Sequence, residues 1–132
     1  MGNGFTQIAF TDAPDVMGDK YPGEMRFLTG LLETEQVAVT YRRMPAGTGG
    51  KGSYGHRHRT QEEVYIVTAG RLQFKLGDEL FDADAGSAIR IAPDVVRSVW
   101  NDGPDDAELL IVSTWIEDLR ADVDTVADFW PG

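Results

Sequence analysis

The chain contains no cysteine. That excludes a disulfide framework, thiolate metal sites and a cysteine nucleophile, and fits a reducing compartment. Histidine is nearly absent too: there are two, His56 and His58, in one short stretch. Any Ser-His-Asp triad would have to draw on that pair. No apolar run approaches the ~20 residues needed to span a bilayer, and the N-terminus lacks the basic and apolar pattern of a signal peptide. A soluble, cytoplasmic protein is expected. Positive charge is in the minority, with 12 Lys and Arg against 22 Asp and Glu, a net charge of −10 and a pI near 4.5. Such a balance repels a phosphate backbone and an anionic leaflet alike, so neither nucleic acid nor membrane is an expected partner. The opening MGNGFT fits the short N-myristoylation pattern at Gly2 and Thr6, but no polybasic stretch accompanies it.

What is present reads as one domain of 132 residues. Residues 1–24 carry scattered turn residues and little periodicity, which suggests an arm with one short strand at Phe5 to Phe10. From Met25 to Trp115, short alternating or apolar runs recur between Gly, Pro and Asp turns: MRFLTGLL, QVAVTYRRM, the histidine segment, EVYIVTAG, RLQFKLG, Gly86 to Ile91, VVRSVWN and ELLIVSTW. That is the pattern of an all-β sandwich or barrel. Ala69-Gly70, Gly77-Asp78 and the Asn101 to Asp105 stretch have hairpin chemistry, so the strands are expected to be mostly antiparallel. Phe74, Phe81, Val99, Trp100 and Trp115 are the expected aromatic and apolar core. In the tail, Ile116, Leu119, Val123, Val126 and Trp130 recur at three- and four-residue spacing, which predicts an amphipathic helix over 116–130.

The chemistry is concentrated in GGKGSYGHRHRTQEEVYIVTAG, residues 49–70. On an extended strand His56 and His58 project to one face, with Arg57 and Arg59 on the other. A carboxylate pair follows at Glu62 and Glu63. No other catalytic pattern competes: TGGKGS lacks the spacing of a phosphate loop, and Ser53 in GSYG does not make a nucleophile elbow. Charge is uneven. Arg42, Arg43, Lys51, Arg57 and Arg59 cluster in one window, and Glu117, Asp118, Asp122, Asp124 and Asp128 fill the tail. These runs read as two solvated faces of opposite sign, the alternative being an anion-attracting region near the histidines.

Gly50, His56, His58, Glu63 and Gly70, at their spacings, resemble the first signature motif of the cupin superfamily. GSAIRIAPDVVRSVWND resembles the second, with Gly86, Pro93 and Asn101 matching in kind. There are two departures: Asp94 and Val95 stand at the family's turn glycine, and Arg97 stands at its third metal-binding histidine. The resemblance covers roughly residues 36–115 and implies a double-stranded β-helix barrel of the jelly-roll type, here with the C-terminal helix appended. It also implies a homodimer.

By the same resemblance His56, His58 and Glu63 would be ligands of a divalent cation. Two imidazoles and a carboxylate form a set with open positions, suited to Fe(II) and accommodating Mn, Ni, Co or Zn. Glu63 is taken over Glu62 for its spacing to Gly70, and strand alternation places Tyr65 and Val67 on its face. Tyr65 would carry a polar group into the pocket as a catalytic residue. A guanidinium cannot ligate a metal, and about 4 Å from a divalent ion, at an effective dielectric of ~20, it is repelled by roughly 8 kcal/mol. Arg97 therefore turns away, or binds an anionic substrate beside the metal, or replaces the metal as the cation facing Glu63. The implied function is a metal-dependent enzyme acting on a small, anionic, carboxylate-bearing molecule by oxygenation, isomerisation or decarboxylation. The alternative is a metal-free, non-catalytic barrel that binds or senses a small ligand.

Overall fold

Alternation of apolar and polar residues builds ten strands, and their pairing partners sort them into two sheets. The computed structural model describes residues 4–132; Gly2 of the acylation pattern lies outside them. The strands are β1 (Glu24–Phe27), β2 (Val37–Met44), β3 (Ser53–His58), β4 (Glu63–Ala69), β5 (Arg71–Leu76), β6 (Glu79–Asp84), β7 (Ala88–Ile91), β8 (Arg97–Trp100), β9 (Ala107–Thr114) and β10 (Val123–Trp130). One sheet has the order β1-β2-β9-β4-β7 and the other β10-β3-β8-β5-β6, every pairing antiparallel. This is the expected all-β jelly-roll barrel. Among the described residues no helix is long and apolar enough to cross a membrane.

Directly paired residues of antiparallel strands share a face, so the register identifies the interior. Val67 opposite Leu109 and Phe74 opposite Val99 face inward, and with Met44, Tyr65, Leu72 and Ile91 they form the main core. Each such buried side chain contributes about 1.5–3 kcal/mol. On the outer face of the first sheet, Ala13, Leu28 and Tyr41 make a second cluster, onto which the N-terminal arm folds through Ile8 and a stack of Phe10 on Tyr41 at 4.6 Å.

Several local expectations are corrected. Residues 5–9 form no strand, and Phe10–Asp12 is a single 3-10 turn. The MRFLTGLL run divides into β1 and a helical turn, α1 (Thr29–Leu32). Ala69-Gly70 is not a hairpin turn, because β4 and β5 belong to different sheets. Gly70, at φ 70°, carries the chain from one sheet to the other, where a Cβ would lie 2.6 Å from the Asp106 carbonyl oxygen. Gly77, at φ 57°, does close a hairpin, between β5 and β6. Of the expected core aromatics, Phe74 is fully buried, whereas Phe81 and Trp115 are 36% and 41% exposed.

The largest correction is the tail. A C-terminal helix is present but spans only α2 (Leu119–Asp122), capped by Asp118 accepting from the Ala121 N–H. From Val123 the chain is strand. Val123, Thr125 and Val126 are β-branched and suit a pleated edge better than a helix, and β3 offers its free edge to them. The two charge runs assist: Asp124 meets Arg59 at 3.1 Å and Arg57 at 3.8 Å. Such exposed pairs contribute at most ~1 kcal/mol each, enough to favour one register.

Candidate metal centre

The strands bring His56, His58 and Glu63 to one end of the barrel interior. One donor atom from each lies within 4.8 Å of the others. On β3 the alternation works as the spacing predicts: His58 is buried, His56 partly buried and Arg57 exposed. The two imidazoles meet edge to face, with centroids 5.2 Å apart. On β4, Glu63, Tyr65 and Val67 are all buried on the inward face, as alternation predicts. Glu63 pairs with Ser113 of β9, whose hydroxyl donates to Oε2 at 2.8 Å. The Tyr65 hydroxyl donates to Oε1 at 3.3 Å.

Arg97 does not turn away. It pairs across the sheet with His56, is 1% exposed, and donates from Nη1 to Glu63 Oε1 at 2.8 Å. Its other contacts go to the backbone. Nη2 reaches the carbonyl oxygens of Ala92, Pro93 and Val95, each at 2.8 Å, and Nε reaches that of Val95 at 3.1 Å. The turn of residues 92–95 thus wraps its carbonyls around the guanidinium. With one edge held by the turn and Nη1 on Glu63, Arg97 has no fork left for a bidentate grip on a substrate carboxylate, which corrects that expectation.

Asp122 is the residue that sequence reasoning missed. It lies in the acidic tail, and only the turn of α2 brings it inward. Oδ2 faces His58 Nδ1 at 3.2 Å and accepts from Gln61 N at 3.1 Å, while Oδ1 accepts from Thr60 N at 2.9 Å and Thr60 Oγ1 at 2.6 Å. Burial alone would raise its pKa, but these donors together hold it below the usual carboxylate value. An ionised Asp122 accepts a hydrogen bond from His58 Nδ1–H, which leaves His58 Nε2 facing Glu63 Oε1, 3.4 Å away. A carboxylate behind a ligating histidine fixes its tautomer in this way.

The protonation states suit a cation. Burial also opposes charge on Glu63, yet His58, the Ser113 hydroxyl and Arg97 outweigh it and push its pKa down to about 2. Burial, opposed by the Glu63 charge and aided by the cations around it, pushes His56 down to about 4. At neutral pH the site therefore offers a neutral His56 imidazole and an ionised carboxylate, as metal binding requires. The His58 ring lies between two carboxylates, with Nδ1 at 3.2 Å from Asp122 Oδ2 and Nε2 at 3.4 Å from Glu63 Oε1. The donor set fits a divalent ion, with the charge of Arg97 weakening its hold.

The comparisons with known proteins agree with this architecture. The family profile described as Cupin domain (Cupin_2) matches residues 42–113. No curated protein matches the chain. Among solved structures, the fold resembles a cupin protein from Bacteroides fragilis at TM-score 0.68 and 22% identity, covering 88% of each chain. It resembles a sugar phosphate isomerase of the cupin superfamily from Silicibacter pomeroyi at TM-score 0.68 and 16% identity, covering 92% of each. It also resembles a predicted oxalate decarboxylase from Thermotoga maritima at TM-score 0.67 and 19% identity, covering 84% of this chain and 100% of that one.

Proposed function

From the premise that this chain belongs to the Cupin_2 family of cupin domains, we propose that it holds one divalent metal ion on His56, His58 and Glu63 and acts on a small, anionic organic molecule at the same end of the barrel. The observation that carries this reading is the convergence of two imidazoles and a carboxylate within 4.8 Å, in a protein otherwise without histidine. A divalent ion on such a set keeps open positions and supplies Lewis acidity toward a substrate oxygen, or a place for dioxygen. The chain's own residues keep the set in place. Asp122 fixes the His58 tautomer, while Ser113 and Arg97 hold the Glu63 carboxylate from both of its oxygens. Tyr65, whose pKa burial raises, keeps its proton and directs it to Glu63. Arg97 and Tyr65 are on this reading positioning residues. The named relatives, an isomerase of sugar phosphates and a predicted decarboxylase of oxalate, both handle anions, which agrees with an anionic substrate.

The buried Arg97–Glu63 pair favours a second reading, a metal-free ligand-binding barrel in which Arg97 supplies the positive charge. Metal content of the untagged protein separates the two. Near-stoichiometric metal that disappears in His56→Ala supports the first. A wild-type site without metal that fills in Arg97→His sinks it and favours the second.

A further inference from the structure

Arg42 is the arginine of the basic window that has no acidic partner. Arg43 pairs with Glu24 and Asp106, and Arg57 and Arg59 pair with Asp124. Among the described residues Arg42 forms no ion pair, and its Nε is buried without a hydrogen-bond partner. Its direction follows from the register. Arg42 is paired with Leu109 of the core on one side and Met25 on the other, so it shares their inward face, while Tyr41 packs on the outer face. Tyr54 of β3 shares the inward face of His56 by alternation, yet it is 57% exposed. An inward-facing residue that remains exposed marks the mouth of the barrel.

Arg42 is close enough to the metal centre for its charge to act on His56 and Tyr65. Burial lowers its pKa, with the nearby Tyr65 and Tyr54 opposing that effect. A guanidinium remains charged throughout the ordinary pH range, and Arg42 is half-buried with its Nε shielded from solvent and unpartnered, a donor that is costly to leave unmet. Its five donors in a planar fork match a carboxylate or a phosphate. Arg97 has spent its donors on Glu63 and the turn of residues 92–95; Arg42 has not.

We propose that Arg42 is the substrate-binding residue of this barrel: its guanidinium grips the oxyanion of a small ligand, a carboxylate or a phosphate, that enters past Tyr54 and reaches the His56, His58 and Glu63 centre. The inference rests on the reading of this end of the barrel as the ligand site. It assigns the anion-gripping role to β2, outside both signature motifs.

The test compares the untagged full chain with Arg42→Met and Arg42→Lys by calorimetric titration with malonate and with inorganic phosphate, measuring the metal content of the same samples. Wild type is expected to bind one of the two saturably, malonate if the ligand is a carboxylate and phosphate if it is a phosphoryl compound. Arg42→Met should weaken that binding about tenfold or more, and Arg42→Lys should restore it only in part. Arg42→Met removes a half-buried charge whose Nε has no partner, so its melting temperature should be equal to or above that of wild type, with metal content unchanged. Equal anion affinity in wild type and Arg42→Met overturns the proposal, as does a wild type that binds neither anion. A lower melting temperature in Arg42→Met would make Arg42 a structural cation and overturn it as well. Arg42-dependent anion binding in samples without metal would leave this inference standing and remove the metal reading alone.

Discussion

Arg97 and Glu63 form a buried ion pair at 2.8 Å beside His56 and His58. The pair joins two sheets, since Arg97 lies on β8 and Glu63 on β4. Each partner has further support: backbone carbonyls around the guanidinium, and the Ser113 hydroxyl on the carboxylate.

Removing one member should be costly. Arg97→Met leaves Glu63 buried without its cation, a change that typically destabilises by about 3–5 kcal/mol, or on the order of 10–20 °C in melting temperature for a domain of this size. The double variant Glu63→Gln/Arg97→Met should recover much of that loss, with a coupling of about 1–3 kcal/mol. Additive losses in a thermal-unfolding cycle would show that the two residues do not depend on each other.

Asp122→Asn tests the support behind His58. An amide cannot serve all of the donors that converge on Asp122, so the His58 ring loses its fixed tautomer. Metal affinity should fall about 10- to 100-fold, measured by titration with Mn(II), and the Thr60-Gln61 turn should loosen in hydrogen exchange. Wild-type affinity in a folded Asp122→Asn protein would remove Asp122 from the centre.

Acid should destabilise the metal-free protein in two stages. The folded-state pKa of His56, about 4, lies below its ordinary 6.5, so the unfolded chain binds a proton that the folded one does not. Stability therefore falls as pH drops from about 6.5 toward about 4. Glu63, at about 2 against an ordinary 4.5, has the same sign: its contribution is complete above pH 4.5 and is lost as pH falls toward 2. Melting curves in chelator across this range check the order, and His56→Leu should flatten the upper stage. A midpoint that rises on acidification through the upper window contradicts the burial assigned to His56.

Gly70→Ala should destabilise by about 2 kcal/mol or more, because the position combines φ 70° with a Cβ that would approach the Asp106 carbonyl oxygen at 2.6 Å and the Ala107 Cα at 2.9 Å. Gly77→Ala, also at positive φ but with open space around its Cβ, should cost less. Chemical denaturation of the two variants side by side measures the difference. Equal losses would mean that backbone strain alone matters at Gly70.

Part of the His56, His58 and Glu63 cluster was legible in the sequence because period-two alternation needs no distant partner: His56 and His58 share a face of β3, and Glu63, Tyr65 and Val67 share a face of β4, while the choice of Glu63 over Glu62 came from the motif spacing to Gly70. The barrel was legible for a related reason, since short alternating runs between turn residues have few ways to bury their apolar faces. Which strands pair was legible only where Gly77-Asp78 closes the β5–β6 hairpin. Ala69-Gly70 has the composition of a hairpin turn, yet it crosses between sheets, because partner choice depends on how both sheets close around the core. The tail spacing pointed to a helix, and the free edge of β3, taken up by the β-branched residues after Val123, overrode it for the strand. That decision brought Asp122 behind His58, a contact across 64 positions that no local pattern encodes. The same holds for the two arginines. Sequence alone marked Arg97 as the cation at odds with the centre; tertiary packing pairs it with Glu63 and leaves Arg42 unpaired, because the partners of a buried charge depend on which strands the fold places around it.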